Sequence, residues 1–231
     1  MTALEPLAYS HGETALTGWL ARPEGTPRAA VLVFPAIANP TPAVQRRATM
    51  LADLGYLALV ADFYGAEGDY QALAQDLRRD VGHYRARINA ALDALRSLPE
   101  VNGLPVAAIG YCMGGQAALE AAREGHLLFA AVSFHGILST DRPATSGTVN
   151  ARILVCHGDA DPLVPREQVL AFWEEMDAAG ANWHFHSYSG VKHGFTDPGS
   201  DARGMPAIGY DASADRQSWK AMIALFDEIL T

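Results

Sequence analysis

Short apolar runs and period-two alternation recur at residues 6–9, 16–20, 30–34, 57–60, 106–109, 130–134, 153–156 and 183–188, and each predicts a β-strand. Between them, helical spacing of apolar positions predicts helices over 43–54, 70–98, 115–123, 166–179 and 213–230, with glycine or proline at many of the boundaries. Strand–helix alternation after residue 30 predicts an α/β fold with a mostly parallel central sheet and helices on both faces. The first two strands are joined by Ser10-His11-Gly12-Glu13-Thr14, a hairpin-sized connection, so they add an antiparallel N-terminal edge. The chain contains no linker-like stretch, repeat or low-complexity tract, and residues 1–231 read as a single domain. Two irregular stretches, 136–152 and 189–212, are long enough to be functional surface loops. In such a sheet a site forms at the carboxyl ends of the strands.

With 49% hydrophobic residues in 231, the chain can bury a large core. Seventeen Lys and Arg against 26 Asp and Glu give a net charge of −9, which opposes nucleic acid or an anionic membrane as the main partner. The first residues lack the basic and apolar regions of a signal peptide, and no apolar stretch is long enough to span a bilayer, so a cytoplasmic location is expected. Two cysteines, Cys112 and Cys156, are too few for a disulfide framework or a cysteine zinc site, and a reducing compartment would leave both as thiols.

The most informative segment is Gly110-Tyr111-Cys112-Met113-Gly114-Gly115, which follows the strand 106–109 and opens a helix. Glycines two residues either side of Cys112 suit a nucleophile elbow, where a side chain would collide with neighbouring backbone. A cysteine among apolar residues is as often an inert small hydrophobe, so the motif alone leaves both options open. A nucleophilic thiol needs a base, and the base an orienting acid. After the strand 153–156 comes His157-Gly158-Asp159-Ala160-Asp161-Pro162, and after 183–188 comes Lys192-His193-Gly194-Phe195. Nucleophile, acid, base is the chain order of α/β-hydrolases. Asp161, stiffened by Pro162, is the better acid, because Asp159 after a glycine suits a local turn bond.

Of the other histidines, His184 and His186 alternate on one strand face with no third metal ligand evident, which suits an exposed edge better than a metal pair. His135, in Ser133-Phe134-His135-Gly136, ends a strand and is a candidate pocket residue. An oxyanion hole requires two donors. One should be the backbone N–H of Met113, at a helix start where the dipole also favours a thiolate. The other should come from the loop after 30–34, where Pro35 has no N–H and Ile37 is preferred to Ala36. Arg46 and Arg47 are expected to face solvent or a partner carboxylate.

Together with Asp62-Phe63-Tyr64-Gly65 and the segment from Tyr210 to Trp219, these motifs resemble the dienelactone hydrolase family over nearly the whole chain. That resemblance implies an α/β-hydrolase fold without a large cap domain, a triad of Cys112, His193 and Asp161, no metal and no organic cofactor. Enzymes of the family that open dienelactones carry a glutamate where this chain has Ala36, and two arginines, expected at the positions of Ala66 and Asp197. Loss of two guanidiniums and gain of a carboxylate argue against an anionic substrate. The implied substrates are small neutral esters or lactones, aryl esters favoured, in a pocket formed by Ala36, Ile37, Tyr64, Ala66, Phe134, His135 and Phe195. Dienelactone hydrolysis proper and attack on activated phosphotriesters are the alternatives at the same thiol, and a non-catalytic binder or a redox-sensing cysteine are those of another class. A homodimer is compatible with all of them.

Overall fold

A computed structural model describes residues 4–231. Its single sheet contains β1 (Leu4–His11), β2 (Thr14–Ala21), β3 (Ala29–Phe34), β4 (Tyr56–Val60), β5 (Val106–Tyr111), β6 (Ala130–Phe134), β7 (Arg152–Gly158) and β8 (Trp183–Tyr188), in the order β1-β2-β4-β3-β5-β6-β7-β8. The β1–β2 and β2–β4 pairs are antiparallel and every later pair is parallel. Every residue of β3, β4, β5 and β6 is buried, as expected of parallel strands covered on both sides.

Six α-helices cover the sheet: α1 (Pro42–Asp53), α2 (Tyr70–Arg78), α3 (Val81–Arg96), α4 (Met113–Arg123), α5 (Arg166–Ala179) and α6 (Ala212–Leu230). Alternation along the strands sorts the core into two layers. Leu32, Phe34 and Ala108 point to α3, α4 and α5, whereas Val31, Val33 and Ile109 point to α1 and α6. The fold class is therefore the one expected.

One element differs. The continuous apolar spacing over 70–98 predicts one helix, but the chain breaks after Arg78 and restarts at Val81. Asp80 is extended and its carboxylate accepts from the amides of Gly82 at 2.7 Å and His83 at 3.3 Å, so it caps α3 and competes with continuation of α2. The break ends α2 beside the site.

Candidate active site

The turn at Cys112 is built by backbone contacts that only glycine permits. Cys112 has φ 55°, outside the range of ordinary L-residues, between the end of β5 and the first residue of α4. A Cβ at Gly110 would lie 1.9 Å from the Gly114 carbonyl oxygen, and one at Gly114 would lie 2.2 Å from that of Phe34. Strand β5, helix α4 and the end of β3 are thus in backbone contact, which pushes the Cys112 side chain out of the turn.

Asp161 and His193 arrive from the ends of β7 and β8. The Asp161 amide donates to Gly158, and one Asp161 oxygen accepts from the amide of Leu163 at 2.9 Å. The other oxygen lies 2.7 Å from His193 Nδ1 with both side chains buried, so Nδ1 carries a proton toward the carboxylate and Nε2 is the nitrogen left for another partner. His193 Nε2 is buried and has no hydrogen bond of ordinary geometry among the described residues. Its electrostatic partner is the Cys112 sulfur.

Burial pushes the Cys112 thiol up, but His193, the Met113 amide and the Arg78 guanidinium outweigh it and hold the thiol below its ordinary value. Burial pulls His193 down, yet Asp161 and Cys112 raise it to about 10. The pair favours thiolate and imidazolium.

Cys112, Met113, His135 and His193 line a cavity of about 580 Å³ at the carboxyl ends of the strands, together with Ala36 and Ile37. Much of the remaining lining is apolar, including Ala43, Val44, Ile137, Leu163 and Ile208. A shallower groove of about 880 Å³ lies near Val106 and Phe129; among the described residues its lining holds no cysteine, serine or carboxylate.

Four expected pocket residues lie elsewhere. Phe134 is buried on the α1–α6 side, stacked on Tyr111 at 4.9 Å, because strand alternation turns it into the core. Phe195 is fully buried between His135 and Tyr188. Ala66 is exposed in the turn before α2 and does not line the cavity. Tyr64 is buried outside the cavity lining, where its hydroxyl donates to the Ile37 carbonyl at 2.9 Å. Tyr84, also buried, donates to the Met113 carbonyl at 2.8 Å.

The Asp62-Phe63-Tyr64-Gly65 motif acts on the same loop. Asp62 accepts from the Thr17, Tyr64 and Gly65 amides and from the Asn39 side chain, while the Asn39 oxygen accepts from the Phe63 amide. A sequence signature with no polar group in the cavity thereby fixes the segment that carries Ile37.

The positions of the family's two arginines hold Ala66 and Asp197, but other guanidiniums reach the cavity. Arg47, Arg78 and Arg203 all line it. Arg47 is buried and paired with Asp215, and Arg203 is paired with Asp197, the carboxylate expected to repel anions. Arg78, at the end of α2, has a buried Nε with no hydrogen-bond partner among the described residues and lies close enough to favour the Cys112 thiolate. No local sequence pattern marks Arg78, since a cation in the last turn of a helix is ordinary. Asp159 also departs from expectation: it pairs with Arg166 at 2.8 Å instead of capping its own turn. His184 and His186 are both exposed on β8.

Comparison with known proteins adds an independent line. The model of the dienelactone hydrolase family matches residues 16–230. A dienelactone hydrolase-like promiscuous phosphotriesterase from metagenomic libraries is 38% identical, with 99% of this chain and 98% of that one covered and a TM-score of 0.92. A probable 2-oxo-3-(5-oxofuran-2-ylidene)propanoate lactonase of Bradyrhizobium is 29% identical over 209 residues, 84% of each chain. A putative carboxymethylenebutenolidase of Escherichia coli is 29% identical over 194 residues, 77% of this chain and 69% of that protein.

Proposed function

The chain belongs to the dienelactone hydrolase family, and on that premise we propose that it hydrolyses carboxylic esters or lactones through Cys112, His193 and Asp161. The observation that carries the proposal is a thiol on a strained, glycine-flanked turn facing a buried imidazole whose other nitrogen is held by a carboxylate at 2.7 Å. In the first step the Cys112 thiolate attacks the carbonyl carbon. The Met113 and Ile37 amides stabilise the oxyanion, His193 gives its proton to the departing alkoxide or phenoxide, and a thioester remains. His193 then takes a proton from water, which attacks the thioester and releases the acid. Over the full cycle the proton that His193 gives to the leaving group is replaced by the one it takes from water.

The apolar lining and the pairing of Arg47 and Arg203 with carboxylates favour small neutral esters or lactones, with aryl alcohols as good leaving groups. Rapid mixing with a neutral chromogenic aryl ester should give a burst of about one phenol per active site, and Cys112→Ala should lower turnover at least ~10³-fold. Undiminished turnover in that variant would remove Cys112 from the mechanism.

A second reading has a specific observation behind it. Arg78 lines the cavity, its Nε has no hydrogen-bond partner among the described residues, and its guanidinium could take the carboxylate of a carboxylate-bearing lactone. If carboxylate-bearing esters have the higher kcat/KM, and Arg78→Ala removes at least about tenfold of it, that reading displaces the neutral one. The similar phosphotriesterase also motivates assaying an activated neutral phosphotriester, whose hydrolysis should vanish with the ester activity in Cys112→Ala.

A further inference from the structure

His135 is the second residue with positive φ outside glycine, at 41°. A bulky L-residue in that region persists only where its surroundings over-determine it. Three hydrogen bonds do so. Its amide donates to the Cys156 carbonyl at 2.8 Å, its Nδ1 accepts the Cys112 amide at 3.2 Å, and its Nε2 lies 2.9 Å from Thr196 Oγ1. Because Nδ1 is an acceptor, the ring proton sits on Nε2 and is donated to Thr196.

The two ends of this bridge lie on the two segments whose separation matters most. Cys112 carries the thiol, and Thr196 lies in the loop that carries His193. The His135 ring also meets the His193 ring edge to face, with centroids 5.1 Å apart, and packs on Phe195 at 5.2 Å. The far end is itself anchored, since the Thr196 carbonyl accepts from Arg47 at 3.1 Å and Arg47 is paired with Asp215 on α6.

We propose that His135 is a positioning residue that ties the Cys112 elbow to the His193 loop through Thr196 and so fixes the distance between thiol and imidazole. The proposal rests on the assignment of Cys112 and His193 as nucleophile and base. Burial and the charge of His193 keep His135 neutral, which the bridge requires: a proton on Nδ1 would leave the Cys112 amide without this acceptor. Substrate need not touch His135 for the tie to act, since a small displacement of the reacting pair is enough to slow chemistry.

The test uses the whole chain, 4-nitrophenyl acetate and two substitutions at the far end. Thr196→Val removes the hydroxyl at nearly constant volume and should lower kcat about tenfold or more with KM within about twofold, and should raise the pH midpoint of Cys112 alkylation. Thr196→Ser keeps the hydroxyl and should restore both. Wild-type kcat and alkylation midpoint in Thr196→Val, or equal losses in valine and serine variants, would overturn the bridge. If the valine variant does not fold, His135→Asn and His135→Phe decide: asparagine supplies an acceptor near the Nδ1 position and tolerates positive φ, so it must retain more kcat than phenylalanine, and the reverse order overturns the proposal. Full activity in Cys112→Ala is a separate outcome that removes the underlying assignment.

Discussion

Two cysteines lie near the same end of the sheet and are shifted in opposite directions by their surroundings. Cys156 is the register partner of Phe134, and Phe134 of Tyr111, so only β6 separates the strand of one thiol from that of the other. Cys156 lies in regular strand and is fully buried; burial pushes its thiol up to about 12, with Tyr188 only partly offsetting it. Cys112 is half-buried on a strained turn, and burial raises it as well, but His193, the Met113 amide and Arg78 reverse the sign. Burial therefore acts in the same direction on both. The difference comes from what the elbow aims the sulfur at, and not from burial.

The sharpest way to break this contrast is to remove the charge behind the base. Asp161→Asn preserves the size of the side chain but no longer favours the imidazolium, so kcat should fall about 10²–10⁴-fold in the steady-state ester assay. A fall of less than about threefold would mean that Asp161 does not orient His193 during turnover.

Alkylation by iodoacetamide as a function of pH separates the two thiols directly. Thiolate is the reactive form, and a depressed thiol releases its proton at lower pH, so native Cys112 should label with a midpoint below about 8.5 while native Cys156 stays unlabelled. The thiolate–imidazolium pair exists above the Cys112 midpoint and is lost as His193 deprotonates near 10, which places the plateau of ion-pair reactivity between those limits. Labelling of both cysteines at equal rates would dissolve the comparison. It would also return Cys112 to the class of an ordinary thiol.

The smallest effect should come from Cys156→Ala. One sulfur leaves a fully packed layer, so stability should fall by about 1–2 kcal/mol in chemical denaturation while kcat stays within about twofold. A large loss of kcat would show that the Cys156 strand end, whose carbonyl accepts from His135, transmits more to the site than its thiol chemistry suggests.

Much of the site was legible because it depends on local backbone geometry. The glycines of the elbow, the proline after Asp161 and the strand ends that carry Asp161 and His193 all have short-range signatures. Phe134 and Phe195 were misplaced because an aromatic beside a site motif has the same pattern whether it faces the cavity or the core; the register of β6 turned one inward, and packing against His135 and Tyr188 buried the other. The α2–α3 break was missed because Asp80 sits within an uninterrupted apolar rhythm, and its capping bonds compete with that rhythm only locally. Thr196 was unremarkable for a different reason: its partner, His135, is 61 positions away.

The amino-acid sequence by itself determined the layered α/β architecture, the antiparallel edge, the elbow and the order in which Cys112, Asp161 and His193 leave the sheet, because periodicity and steric demand act over a few neighbouring residues. The charge and lining of the cavity were decided only by tertiary structure. Arg47 meets Asp215 across 168 positions, Arg203 folds onto Asp197, and the end of α2 brings Arg78 to the thiol. Such encounters depend on how loops and helix ends pack, and no local pattern specifies that.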